Sequence, residues 1–476
     1  MAINTKVIAM IVAASLYSLV ADAQIRWWDP AKNSFPVMET SSIRFRTNAS
    51  EIVVRYTMEG KTTSGMDLYA IDANGACRSK TGSHRLADTI TYHFPELSDE
   101  AREYRLYFYA RVKWMEIGAS GNDSITPLHP RSEKPIMIYG KQDSWTSLLD
   151  KQLDRQVITL NYSDNGITNI DAKVYVLDCL SETKQRILST VTMLRKKRPT
   201  TPILLVEHNG LADIYKQLHA KGIKHLYPLD VSQIKPGDDK SMQAYANAYE
   251  KSLRVILHEP VGNINTTIPC RQYRELMRYD WDARHNEILT MNNVKAPGTV
   301  LIGNSITHFW GGLPAGPIAR GADSWKEVMD PVDARNMGFG WDRIENVLWR
   351  VYHDELDGYA ANKIYIMIGT NNLEMNTNEE IIAGLKLLVS AIKQRQPKAG
   401  ILVSGILPRA NQEKRIVAIN QGIMQMAGTE QVQFINPGTV LLKPDATIDN
   451  SLFTDGLHPN GIGYSKLAHF LQPYLK

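Results

Sequence analysis

Ser305, Asp455 and His458 are the residues whose types and spacing suggest chemistry. Ser305 ends the run Val300-Leu301-Ile302-Gly303-Asn304-Ser305, which reads as a buried strand handing a serine to a turn. A serine hydroxyl is a poor nucleophile until a base removes its proton, and a histidine can be that base. In Asp455-Gly456-Leu457-His458, the aspartate can fix the imidazole tautomer and stabilise the imidazolium that forms. This chemistry is acyl transfer through an acyl-serine. The oxyanion that develops needs preorganised donors. Candidates are the Ser305 N–H, an N–H of the Gly340-Trp341 turn and the Asn371 amide. His308, Trp310 and Trp341 are candidates to line the substrate cleft. Such a site needs no metal and no organic cofactor.

These residues require an element order that brings them together. Apolar strands are expected over 298–302, 334–338, 363–368 and 400–404, with helices over 344–352, 378–395, 415–427 and 464–475. Strands alternating with helices predict a parallel sheet, whose ligands bind beyond the carboxyl ends of the strands. Ser305, Gly340, Asn371 and His458 all follow such ends. The pattern also occurs upstream, with strands over 135–139, 157–160, 172–177 and 202–206 and helices over 183–195 and 241–257. It reads as a repeat of one α/β unit with a period of roughly 160 residues. Residues 258–297 connect the two, with a charged helix expected over 272–289. Before the first unit, short alternating strands separated by turn residues predict a β-sandwich or jelly roll. The expected division is 1–23, 24–138, 139–257, 258–297 and 298–476.

The chain has 476 residues, 43% hydrophobic and 22% charged, with a net charge of +4. It is globular with room for several domains, and without a basic run or basic–aromatic interleaving nucleic acid is not an expected partner. Lys6, the apolar stretch 7–20 and Ala21-Asp22-Ala23 read as an export signal over 1–23, so a periplasmic or secreted location is expected. No later segment has the ~18 apolar residues of a transmembrane span. Cys77, Cys179 and Cys270 show neither disulfide nor metal spacing.

The blocks Gly303-Asn304-Ser305-Ile306, Gly369-Thr370-Asn371 and Asp455-Gly456-Leu457-His458 resemble, in order and spacing, those of the SGNH hydrolase superfamily, the GDSL-type esterases. Asn336-Met337-Gly338-Phe339-Gly340-Trp341-Asp342 resembles the remaining oxyanion block, with Trp341 where that family usually has glycine. Residues 343–350 resemble a branch that includes platelet-activating-factor acetylhydrolase subunits and bacterial carbohydrate acetylesterases. Met66-Asp67-Leu68-Tyr69 resembles the β-rich domain preceding some exported Bacteroidetes esterases. The resemblance implies two three-layer, flavodoxin-like α/β units, with Ser305 as nucleophile, His458 as base and Asp455 as its partner. It implies removal of O-acetyl or other small acyl groups from carbohydrate, the partner being an acetylated glycan or small acyl ester. Alternatives are a lipid or other acyl-ester hydrolase of the same superfamily, and a glycan-binding protein using its N-terminal domains. In the first α/β unit, 140–145 lacks Gly-x-Ser-Ile, Glu182 stands where an asparagine donor is expected, and 235–240 holds no Asp-x-x-His. That departure implies a fold kept without its catalysis.

Overall fold

The structure is a computed structural model that describes residues 25–33, 41–59, 65–72, 77–83, 85–97, 102–119, 124–128, 131–140, 144–162, 166–178, 183–207, 212–235, 239–273 and 278–476. The export signal expected over 1–23, Cys179 and Glu182 lie outside these residues. The described residues divide into two compact units, one running to residue 256 and the other comprising 131–133 with 257–476.

The first unit opens with two antiparallel sheets. One orders Arg26–Trp28, Val112–Ala119, Glu51–Met58 and Ala87–His93; the other orders Cys77–Lys80, Met66–Ile71, Arg102–Phe108, Ser42–Thr47 and Thr126–Pro127. Alternation along the strands sends Val54 and Ile117 from one sheet, and Phe45, Leu68 and Leu106 from the other, into a single apolar cluster. A five-stranded parallel sheet follows, ordered Val157–Leu160, Ile136–Tyr139, Val174–Asp178, Ile203–Glu207 and Leu226–Asp230. Helix Ser144–Leu153 ties it to the antiparallel part: Ser41 Oγ donates to Asp150 at 2.7 Å, and Arg105 pairs with Asp154 at 2.8 Å.

The second unit holds another five-stranded parallel sheet, ordered Ala334–Gly338, Thr299–Gly303, Lys363–Met367, Gly400–Ser404 and Gln433–Ile435. In chain order both parallel sheets run second, first, third, fourth, fifth, the flavodoxin-like winding that leaves a crevice beside the first strand. The three central strands, Thr299–Gly303, Lys363–Met367 and Gly400–Ser404, are largely apolar on both faces because both faces are covered. Val300, Ile302, Ile364 and Ile366 face one core with helices Trp281–Val294, Ile344–Tyr352, Asn378–Arg395 and Glu413–Thr429. Leu301, Tyr365, Met367 and Leu402 face another with helix Gly461–Leu475. Helix starts follow local chemistry: Thr377 and Glu380 form a capping box, and Asn460 accepts from the N–H groups of Ile462 and Gly463.

The helix expected over 272–289 instead spans Trp281–Val294. Asp280 caps it by accepting from the Ala283 N–H at 2.9 Å. Residues before it are drawn elsewhere, Arg271 to the Asp282 carboxylate and Gln272 to the Gly340 carbonyl.

Candidate active site

Strand Thr299–Gly303 ends in a tight turn at the carboxyl end of the second sheet. A Cβ on Gly303 would come within 2.0 Å of Thr307 Oγ1 and 2.9 Å of the Met367 carbonyl, so the turn needs glycine. Asn304 caps the one-turn helix Ser305–His308 by accepting from the Ile306 N–H at 2.9 Å. Ser305 is thus the first helical residue, where a backbone N–H has no intrahelical acceptor.

Ser305 Oγ lies 2.8 Å from His458 Nε2, and His458 Nδ1 lies 2.7 Å from Asp455 Oδ2. The other carboxylate oxygen accepts from the N–H groups of His458 at 2.7 Å and Leu457 at 3.1 Å. Burial pushes the Asp455 carboxyl up, but these hydrogen bonds and the imidazole outweigh it and hold it below the usual carboxylate range. A carboxylate on Nδ1 keeps the proton there, so Nε2 presents its lone pair to the serine hydroxyl. The arrangement can accept a proton from Ser305 and return it to a leaving group.

The donors expected beside Ser305 fall out unequally. Asn371 is half-buried, and its Nδ2 donates to the Asp342 carbonyl at 3.0 Å. That nitrogen carries two hydrogens, so one remains. Gly340 does not offer its N–H: it donates to His308 Nδ1 at 3.1 Å. Trp341 follows in the left-handed region, at φ +63°, with 39% of its surface exposed. Non-glycine residues rarely adopt that conformation.

His308 and Trp310 do not line a cleft as expected; both are buried. His308 is spent on Gly340 and packs on Tyr279 at 4.9 Å between ring centroids. Burial, with Arg284 and Arg350 nearby, pulls its pKa down to about 2, which keeps it neutral. Trp310 Nε1 donates to Ser324 Oγ at 3.1 Å, and its ring joins the core beside Tyr464. Both residues follow the serine directly and are polar or aromatic, which suggested exposure. The short helix turns His308 inward, and the turn that closes it does the same for Trp310.

Sequence reasoning missed the polar frame behind the Gly338-to-Asp342 turn. Arg284 donates to the carbonyls of Gly338 at 2.8 Å, Asn336 at 3.1 Å and Pro314 at 2.9 Å. Burial pulls its pKa down to about 10. Asp342 accepts from Trp281 Nε1 at 2.8 Å and Arg350 Nε at 2.9 Å, and Arg350 also reaches Glu355 at 2.5 Å. Glu355 meets His285 Nδ1 at 2.8 Å. Burial pushes Asp342 up to about 7 against the pull of Arg350. Burial alone would lower Arg350, yet Glu355 and Asp342 together raise it. The two ends of this pair differ because Arg350 has two carboxylates and Asp342 shares one cation. The available signal was a helix over 281–294 with charges on every face, which leaves some of them no route to water.

The antiparallel-sheet region and both parallel sheets carry matches to known families. Residues 301–466 match the model of a GDSL-like lipase/acylhydrolase family, residues 133–228 match a second model of the same description, and residues 39–125 match GxDLY, the N-terminus of Esterase_SGNH_hydro-type. The chain belongs to the GDSL-like lipase/acylhydrolase family. Its similar relatives include human platelet-activating factor acetylhydrolase IB subunit alpha2, 30% identical over 193 residues, covering 40% of this chain and 80% of that one. The bovine alpha1 subunit is 27% identical over 200 residues, covering 41% and 82%. Among solved structures, a putative GDSL-like lipase from Bacteroides ovatus aligns at 18% identity and TM-score 0.40, covering 49% of this chain and 98% of that one. A family two carbohydrate esterase from Cellvibrio japonicus aligns at 13% identity and TM-score 0.34, covering 49% and 98%. Among the described residues no helix is long and apolar enough to cross a membrane.

Proposed function

We propose that the protein is a serine esterase that removes small acyl groups, acetyl foremost, from a carbohydrate hydroxyl. The carrying observation is the relay from Ser305 Oγ through His458 to Asp455, with both links at hydrogen-bond distance. Ser305 Oγ attacks the ester carbonyl while its proton passes to His458 Nε2. The oxyanion is met by the N–H groups of Ser305 and Trp341 and the free Asn371 amide hydrogen. His458 then protonates the leaving alkoxide, giving the free hydroxyl and an acyl-serine. A water, deprotonated by His458, attacks the acyl-serine and releases the carboxylic acid and Ser305.

Acetyl is favoured by the relatives, which are named acetylhydrolases. Carbohydrate is favoured by the partly exposed Trp341 indole, a flat face of the kind that packs on a sugar ring. Export through residues 1–23 fits a glycan substrate, and a β-sandwich fits the two antiparallel sheets. In the first α/β unit the sequence 140–145 reads Gly-Lys-Gln-Asp-Ser-Trp, without Gly-x-Ser-Ile, which supports a unit without a nucleophile.

The test is acetate release from p-nitrophenyl acetate and from a panel of acetylated xylan, pectin, mannan and sialoglycans. Ser305→Ala should abolish release, and full rate in that variant would end the proposal. Faster turnover of octanoyl than acetyl esters would move the assignment to a lipid substrate.

A further inference from the structure

We infer that the segment before the second parallel sheet is a working part of the acyl-transfer site. Gln272 and Tyr279 are positioning residues that lock the Gly340–Trp341 peptide with its N–H, not its carbonyl, facing the oxyanion. This rests on the esterase reading above.

The Gly340 carbonyl accepts two hydrogen bonds, from Gln272 Nε2 at 2.7 Å and from the Tyr279 hydroxyl at 2.8 Å. In a trans peptide the next N–H points opposite to that carbonyl. Holding the Gly340 oxygen on one side therefore aims the Trp341 N–H to the other. The glycine is fixed at its other end too, because its own N–H donates to His308 Nδ1. His308 in turn belongs to the one-turn helix that Ser305 begins, and its backbone N–H bonds to the Asn304 carbonyl at 2.9 Å. The nucleophile and the turn are thus joined through one imidazole. Asn371 reaches the same turn from the strand on the other side of Thr299–Gly303, at the Asp342 carbonyl.

The lock has something to oppose. Trp341 stands at φ +63°, which a β-carbon disfavours. Rotating the Gly340–Trp341 peptide by half a turn would carry Trp341 to an ordinary negative φ. It would also put a carbonyl oxygen where the donor stood, turning the site against a developing negative charge. Local strain therefore favours the wrong orientation, and the two donors on the Gly340 oxygen favour the right one. Those donors also polarise the peptide and make its N–H a stronger donor. A glycine at 341 would feel no such strain and need less help.

The experiment measures kcat and KM on p-nitrophenyl acetate for the doubly substituted Gln272→Leu/Tyr279→Phe protein, first with Trp341 and then with Trp341→Gly. Direct loss of an oxyanion donor costs about 100- to 1,000-fold, so partial loss of its orientation should cost about tenfold. With Trp341 present, kcat should fall about tenfold at nearly constant KM, and the Ki of a trifluoromethyl ketone, whose hemiketal carries the oxyanion, should rise in proportion. With Trp341→Gly the same pair of substitutions should cost less than about threefold. Equal losses in both backgrounds, or no loss in either, would overturn the inference. If the double variant does not fold, Tyr279→Phe, which deletes one hydroxyl, is judged by the same two comparisons. Ser305→Ala is measured alongside. Retained rate there overturns the esterase reading, whereas an inactive Ser305→Ala with clamp-insensitive kcat overturns only the positioning role.

Discussion

Replacing Asp455 by asparagine tests the relay at its most directional point. The carboxylate accepts three hydrogen bonds, from His458 Nδ1, from the His458 N–H and from the Leu457 N–H. An asparagine can keep its oxygen on the two backbone groups, which leaves its NH2 facing Nδ1. An N–H donor there selects the imidazole with its proton on Nε2, the nitrogen 2.8 Å from Ser305 Oγ. That tautomer cannot take the serine proton. A reversed tautomer in such a triad costs up to ~10,000-fold in kcat. The Asp455 side chain is 47% exposed, so water competes for Nδ1 and the loss falls short of that limit. The expected loss is about 1,000-fold, or ~4 kcal/mol of transition-state stabilisation. Asp455→Ala removes the carboxylate without imposing a tautomer, so it should cost less than Asp455→Asn. The assay is kcat/KM on p-nitrophenyl acetate through neutral and mildly alkaline pH, with circular dichroism to confirm folding. An asparagine variant within tenfold of the parent, or an alanine variant slower than the asparagine one, would refute the reasoning.

Other substitutions probe the frame behind the site. Arg350→Met strips Asp342 and Glu355 of their shared cation while both stay buried, and should cost about 3–5 kcal/mol, read as a Tm lowered by roughly 10 °C. His308 is held to a pKa of about 2 against an unfolded value of 6.5. As pH falls below 6.5 the unfolded chain binds a proton that the folded chain refuses, so stability is lost on acidification. Two pH units below that value the loss should be about 3 kcal/mol, and His308→Asn should flatten the profile in urea titrations. Gly338→Ala would drive a Cβ to 2.3 Å from the His308 backbone nitrogen and 2.6 Å from the Thr307 carbonyl carbon. Backbone cannot yield as a side chain does, so the serine helix should shift and kcat fall about 100-fold, with far-ultraviolet dichroism unchanged.

Strands such as Thr299–Gly303 and Lys363–Met367 were legible because each is an unbroken apolar run, buried on both faces. The meeting of Ser305 with His458 was legible because their loops close the same end of one sheet. The donors were less so. Gly340 and Trp341 are adjacent, and which N–H is spent depends on how a peptide faces and not on residue type. His308 and Trp310 looked like cleft residues, but a single helical turn rotates polar and aromatic groups into the core as readily as out of it. Gln272 and Tyr279 carry no pattern that marks them. They matter through a bond to a carbonyl 68 and 61 residues away.

The second unit includes three residues that the chain delivers early. Arg131 lies over the Trp349 ring at 5.1 Å, the Ser132 N–H donates to Asn286, and Glu133 approaches His353 at 3.8 Å. No single proteolytic cut can therefore release this unit whole. During synthesis Ser132 leaves the ribosome 154 residues before Asn286. At about 5–20 residues per second, roughly 8–30 s pass before its acceptor exists. Arg131 and Glu133 wait longer still, because Trp349 and His353 follow them by 218 and 220 residues, so this unit cannot close its core before the chain through His353 has been made.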